Sequence, residues 1–184
     1  MTLIGILVDV GCGTGYFIET IARSFPNLCL VGVDISEEMV QEASKNLSSL
    51  RIANQLSFRQ GDIQELPFEN SSLDFIVSTL SLHHWAEPKQ AIQEINRILK
   101  PGGQFLIFDL RRDSRRIFYW LLRFAQTFIL PSAIRRVNEP TSSVLSTYTP
   151  VELKGIISQT PFQRWSLKPG FGWLFIWGWK DETQ

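Results

Sequence analysis

The chain has 184 residues, 44% of them apolar and 20% charged, which suits one soluble globular domain with a full core. Basic and acidic residues number 18 each, so no global charge drives nucleic-acid binding and no nucleic-acid partner is expected. Cys12 and Cys29 are the only cysteines, too few for a disulfide framework, and no apolar run reaches the ~20 residues of a spanning helix. A reducing, cytoplasmic setting is expected. No signal peptide is expected either: the N-terminus lacks a basic region, and Asp9 interrupts its apolar run.

Leu3 to Val10 is β-branched and apolar, the pattern of a strand buried on both faces. Thr14 to Ser24 predicts a helix that stops before Pro26. "LCLVGVD", Leu28 to Asp34, predicts a second buried strand. Ser36 is placed to cap the next helix, with Glu37 and Glu38 in its first turn where carboxylates suit the helix dipole; that helix is expected to run to about Leu50. Strands are predicted over Leu56–Gln60 and Leu73–Leu80. Pro88 to Leu99 predicts a helix with Ile92, Ile95, Ile98 and Leu99 on one face, stopped by "KPGG", and Gln104 to Leu110 a fifth strand. Thr149-Pro150-Val151-Glu152 is a capping box with proline at the first helical position, opening a helix that ends near Thr160. Trp165–Leu167 and Trp173–Lys180, joined through Pro169-Gly170, predict a final antiparallel pair. Strands alternating with helices give an α/β, doubly wound, mostly parallel sheet with an antiparallel C-terminal hairpin.

The stretch "VDVGCGTGYF" follows the first strand and carries Gly11, Gly13 and Gly15. In a doubly wound sheet, ligands bind at the carboxyl ends of the strands, where this loop sits. Glycines there let the chain bend sharply and let a ligand approach the backbone. The dinucleotide fingerprint G-x-G-x-x-G fits poorly, because the present spacing is one residue shorter. Asp34, at the end of the second strand, is placed to accept hydrogen bonds from both hydroxyls of a ribose; its plainer role would be to cap a turn.

"VDVGCGTG", "VGVDIS", "GDIQELPF", "DFIVSTLSLHHW" and "LKPGGQFLIFD" occur in this order. The sequence resembles the class I S-adenosylmethionine-dependent methyltransferases, in particular the group that includes the ubiquinone/menaquinone-biosynthesis enzymes. The resemblance spans Leu3 to Asp109 and implies a seven-stranded sheet of Rossmann-like type. It also implies roles, with S-adenosylmethionine as cofactor and a small, apolar methyl acceptor as partner. Gly11, Cys12, Gly13 and Gly15 would line the methionine half of the cofactor, and Asp9 would anchor the loop and reach the cofactor's ammonium. Asp34 would hold the ribose. Ile35 and Met39 would pack on the adenine. Gly61, Asp62 and Ile63 would border the same ring, Asp62 accepting from its amino group. Thr79 and Leu80 would border the transferring methyl. For Met39 and Ile63, ordinary core packing is the competing reading. Relatives carry one or two helices before the first strand; here the strand begins within three residues of Met1, so either the chain is truncated or another segment supplies the cover.

Methyl transfer from a sulfonium needs alignment more than machinery. No metal is expected, since no His/Cys/Asp cluster has ligand spacing. The only histidines, His83 and His84, stand just after the fourth strand and are the candidate catalytic bases for an acceptor that must lose a proton. Neighbouring side chains diverge, so at most one should face the cleft; the alternative is packing beside Trp85. Two other functions share these features: a nicotinamide-dependent oxidoreductase, and a relative that binds S-adenosylmethionine without catalysis.

From Arg111 to Arg136 there are seven arginines and one acid, a formal +6 in a chain of zero net charge. Arg115 to Leu130 has helical period, with Arg115, Arg116 and Arg123 on one side and Ile117, Phe118, Leu121 and Phe128 on the other. Two roles are open: a helix packed on the core with a solvated arginine face, or a cover over the acceptor site whose arginines meet an anionic or membrane surface. The whole chain, 1–184, is expected to be one domain: a cofactor-binding core over 1–110, a helical cover over 111–148, and a closing helix and strand pair over 149–184.

Overall fold

A computed structural model describes residues 5–49, 56–114 and 146–182. The expected helix over 115–130, and most of the basic cover, lie outside the described residues.

In chain order the elements are β1 (Ile6–Val10), α1 (Tyr16–Ser24), β2 (Cys29–Asp34), α2 (Glu37–Leu47), β3 (Leu56–Gln60), β4 (Leu73–Thr79), α3 (Pro88–Ile98), β5 (Leu99–Leu110), α4 (Pro150–Ile157), β6 (Arg164–Pro169) and β7 (Trp173–Trp179). A single 3₁₀ turn, Leu82–His84, follows β4. The sheet has seven strands in the order β3-β2-β1-β4-β5-β7-β6. Pairings from β3 through β5 are parallel, while β7 runs antiparallel to both β5 and β6. The strand order reverses between β1 and β4, so the carboxyl ends of β1, β2 and β4 surround one crevice.

Two apolar layers sandwich the sheet. Leu7, Leu30, Leu56 and Phe58 pack with Ile18, Ala22 and Leu47 from α1 and α2. Val8, Val10, Val31, Val33 and Ile76 face the other way, with Ile92, Ile95 and Ile98 of α3 and Leu153 and Ile157 of α4. Alternate residues of β1 and β2 thus serve opposite layers, which is why both strands are mostly apolar, apart from Asp9 and Asp34.

The boundaries depart from expectation where backbone geometry intervenes. Gly15 is left-handed (φ 84°), so α1 starts at Tyr16 rather than Thr14. Leu80 is also left-handed (φ 54°), which ends β4 at Thr79. The strand predicted from Gln104 begins at Leu99, directly after α3, because the left-handed Gly102 (φ 76°) and a register irregularity between Leu73 and Phe75 let "KPGG" bend within β5. The helices α2 and α4 stop at Leu47 and Ile157, each about three residues early.

Candidate active site

The crevice holds a cleft of about 470 Å³. Gly11 and Gly13 line it from the loop after β1, Asp34, Ile35 and Met39 from the end of β2 and the start of α2, Gly61, Asp62 and Ile63 from beyond β3, and Leu80 and His84 from the loop after β4. These ten residues come from four separate stretches, and each was a site candidate on sequence.

The glycine loop is held at its root. The backbone N–H groups of Gly11 and Cys12 both donate to the Val33 carbonyl, at 2.8 and 3.1 Å, tying the loop to β2. Gly11 has φ 76°, and a Cβ there would sit 2.1 Å from the Ser81 hydroxyl. Only glycine lets the loops after β1 and β4 approach this closely. Ser81 is fixed in turn by the Trp85 indole, whose Nε1–H donates to its Oγ at 3.1 Å.

Asp34 spans the loop and the next helix. Gly13 N–H donates to Oδ2 at 2.8 Å and Ser36 N–H donates to Oδ1 at 3.0 Å. A carboxylate has about four acceptor positions, so each oxygen keeps capacity for a further donor in the cleft. Asp62 repeats the arrangement on a smaller scale, its Oδ1 taking Gln64 N–H at 2.9 Å. Ser36 caps α2 by accepting from Met39 N–H, which sets Met39 at the cleft wall.

Asp9 lies beneath the loop, fully buried, and neither carboxyl oxygen has a hydrogen-bond partner. Burial, with the Asp34 charge as a lesser cause, pushes its pKa up to about 7. A buried carboxyl with both oxygens unmatched is a group awaiting a donor. Cys12 is buried and packs toward Gly32; burial above all, then Asp9 and Asp34, pushes its thiol up to about 12, so it is no nucleophile.

Five sequence candidates stand outside the cleft lining. Asp9 and Cys12 lie under it. Gly15 serves helix packing, since a Cβ there would come within 3.0 Å of Leu47. Thr79 is the last residue of β4, paired in register with Phe108. His83 turns inward: its ring Nδ1 lies 3.0 Å from Asp109, with the side chain only 5% exposed. Of the two histidines, only His84 reaches the cleft, although the two rings stay in contact.

Val10, Gln64, Ser81, Trp85 and Ala86 also line the cleft and were not sequence candidates. Three of them belong to the loop after β4. The rule that strand carboxyl ends border the ligand would have reached them had it been applied to the whole loop rather than to Leu80 and the two histidines. No metal-binding group of three or more His, Cys, Asp or Glu side chains occurs among the described residues.

These features fit an adenosyl cofactor carrying an ammonium group: a glycine cradle, a carboxylate with spare acceptor capacity beside it, and a buried acid without a partner. Comparison with known proteins agrees. Residues 8–107 match the methyltransferase domain family. The chain is 31% identical over 179 residues to the biotin biosynthesis bifunctional protein BioHC of Teredinibacter turnerae, covering 84% of this chain and 31% of that protein. It is 28% identical over 125 residues to a demethylmenaquinone methyltransferase of Staphylococcus aureus, covering 67% and 51%. The fold superposes on a SAM-dependent methyltransferase from Aquifex aeolicus with a TM-score of 0.72 at 18% identity, covering 95% of this chain and 81% of the other. The chain spans about a third to a half of the curated relatives it matches. By its domain match and its sheet order, this chain belongs to the family of S-adenosylmethionine-dependent methyltransferases.

Proposed function

We propose that the chain transfers a methyl group from S-adenosylmethionine to a small, largely apolar acceptor. The observation that carries this reading is Asp34: a carboxylate that organises the glycine loop through Gly13 and still has acceptor capacity at the cleft.

In this reading Asp34 holds the ribose hydroxyls. Asp62 accepts from the adenine amino group, and Ile35, Met39 and Ile63 bracket the ring. Asp9 receives the ammonium, which relieves its two unmatched oxygens. The cofactor, when bound, supplies an activated methyl on sulfur. The chain's own part is alignment and exclusion of water. Leu80, Trp85 and Ala86 give the far wall an apolar surface suited to an uncharged acceptor, and His84 is the group there able to take a proton from an acidic hydroxyl. A cytoplasmic location belongs to the same reading, as does contact of the basic stretch 111–136 with an anionic surface. No helix among the described residues is long and apolar enough to cross a membrane.

Incubation with methyl-labelled S-adenosylmethionine and a panel of phenols, quinols, carboxylic acids and amines tests the activity. Label in an organic acceptor is the expected result. Tight binding of S-adenosylhomocysteine with no transfer to any acceptor class would indicate a binding protein, and binding of NAD in its place would overturn the cofactor assignment.

A further inference from the structure

We propose that Asp109 is a positioning residue for the acceptor side of the cleft, acting through His83 to orient His84. The proposal rests on reading the cleft as a methyl-transfer site.

Asp109 lies near the end of β5 and is 1% exposed. Its carboxylate gathers three donors. Leu110 N–H reaches Oδ1 at 2.7 Å, His83 N–H reaches Oδ2 at 3.0 Å, and the His83 ring nitrogen Nδ1 lies 3.1 and 3.0 Å from the two oxygens. A carboxylate only accepts, so the proton of this contact sits on Nδ1, and in the neutral ring Nε2 carries the lone pair. One ring orientation and one tautomer are thereby selected.

The fixed ring backs a second one. The centroids of His83 and His84 are 4.0 Å apart, with the planes inclined at 44°. Among the described residues nothing hydrogen-bonds the His84 ring, and the ring of His83 lies against it. Geometry precedes pKa in proton transfer, and the geometry of His84 is set from behind.

A purely structural role explains the pair poorly. The turn is already anchored in the core by Leu82 and Trp85, 1% and 5% exposed. Burying a carboxylate against an imidazole adds little net stability compared with apolar packing. The pair is better understood by what it presents to the cleft.

Histidine-ring ¹H–¹⁵N spectra of the full chain test this cleanly, because only His83 and His84 contribute. The wild type is expected to show one ring with its proton fixed on Nδ1. Asp109→Asn should release that ring and also move the His84 signals. His83→Gln is the second variant: its amide still donates to Asp109, while the ring behind His84 is gone, so the His84 signals should again move. If Asp109→Asn does not fold, His83→Gln carries the test. Both variants should bind S-adenosylhomocysteine within about twofold of wild type. With the acceptor that turns over, kcat should fall about tenfold or more while KM for S-adenosylmethionine stays within about twofold. His84 signals identical to wild type in a folded variant, or an unchanged kcat, would overturn the proposal. Failure of the wild type to bind S-adenosylhomocysteine would overturn the reading of the cleft instead, and the spectra, which need no ligand, keep the two failures apart.

Discussion

Asp34 holds Gly13 and Ser36 in the free protein, and under the proposed function the same two oxygens would serve the ligand. Asp34→Ala should remove ribose hydrogen bonds to a charged acceptor, each worth about 1.5–3 kcal/mol, and release Gly13 and Ser36 as well. Affinity for S-adenosylhomocysteine should drop about tenfold to hundredfold or more by calorimetry; an unaltered affinity in a folded variant would remove the assignment. Asp9 makes a different demand. Its folded pKa of about 7 lies above its ordinary value of 3.8. Between those limits the folded chain holds a proton that the unfolded chain has lost, so this group's contribution to stability falls as pH rises, by up to about 1.4 kcal/mol per unit. Asp9→Asn cannot ionise. In ligand-free urea unfolding, its stability relative to wild type should therefore increase from pH 4 to pH 7 and level off above; a pH-independent difference would contradict the buried, unpartnered state of Asp9. Asp34 and the glycines were legible in the sequence because their chemistry is set by chain position at a strand end. Asp109 was not, because only tertiary packing brings it to His83.

Local chemistry decided some elements outright and others not at all. Thr149 accepts from Glu152 N–H at 3.2 Å, and Glu152 accepts from Thr149 N–H at 2.8 Å, the reciprocal cap visible in the sequence. Thr149→Ala should cost about 1 kcal/mol and lower Tm by roughly 2–4 °C; a wild-type melting curve would show that the cap does not limit stability. Glu152 also pairs with Arg112, so α4 is tied to the chain leaving β5. The start of β5 was illegible for the converse reason. Pro101-Gly102-Gly103 predicts a break by local rules, and the strand forms there because Leu99 pairs with Leu73 across the sheet. The ends of β4 and α1 were displaced by single left-handed residues, one of them Leu80, a conformation its side chain disfavours.

At the scale of the molecule, alternating apolar strands and amphipathic helices made the doubly wound sheet readable, and every expected strand lies in it. A ligand that binds only this assembled crevice stabilises all of it. S-adenosylhomocysteine at a hundredfold excess over Kd should add about 2.7 kcal/mol and raise Tm by roughly 5–10 °C, whereas NAD at the same concentration should leave it in place; equal shifts would argue against adenosylmethionine selectivity. The sheet order has a further effect, on when the molecule comes into being. β7 lies between β5 and β6 and pairs along both of its edges. During synthesis the first four strands find partners among near neighbours, but the free edge of β5 must wait until residues 173–179 have left the ribosome. Over that interval Phe105, Leu106, Ile107 and Phe108 form an apolar edge open to other chains. The crevice half of the sheet can thus take shape early, while protection from aggregation arrives only with the last strand.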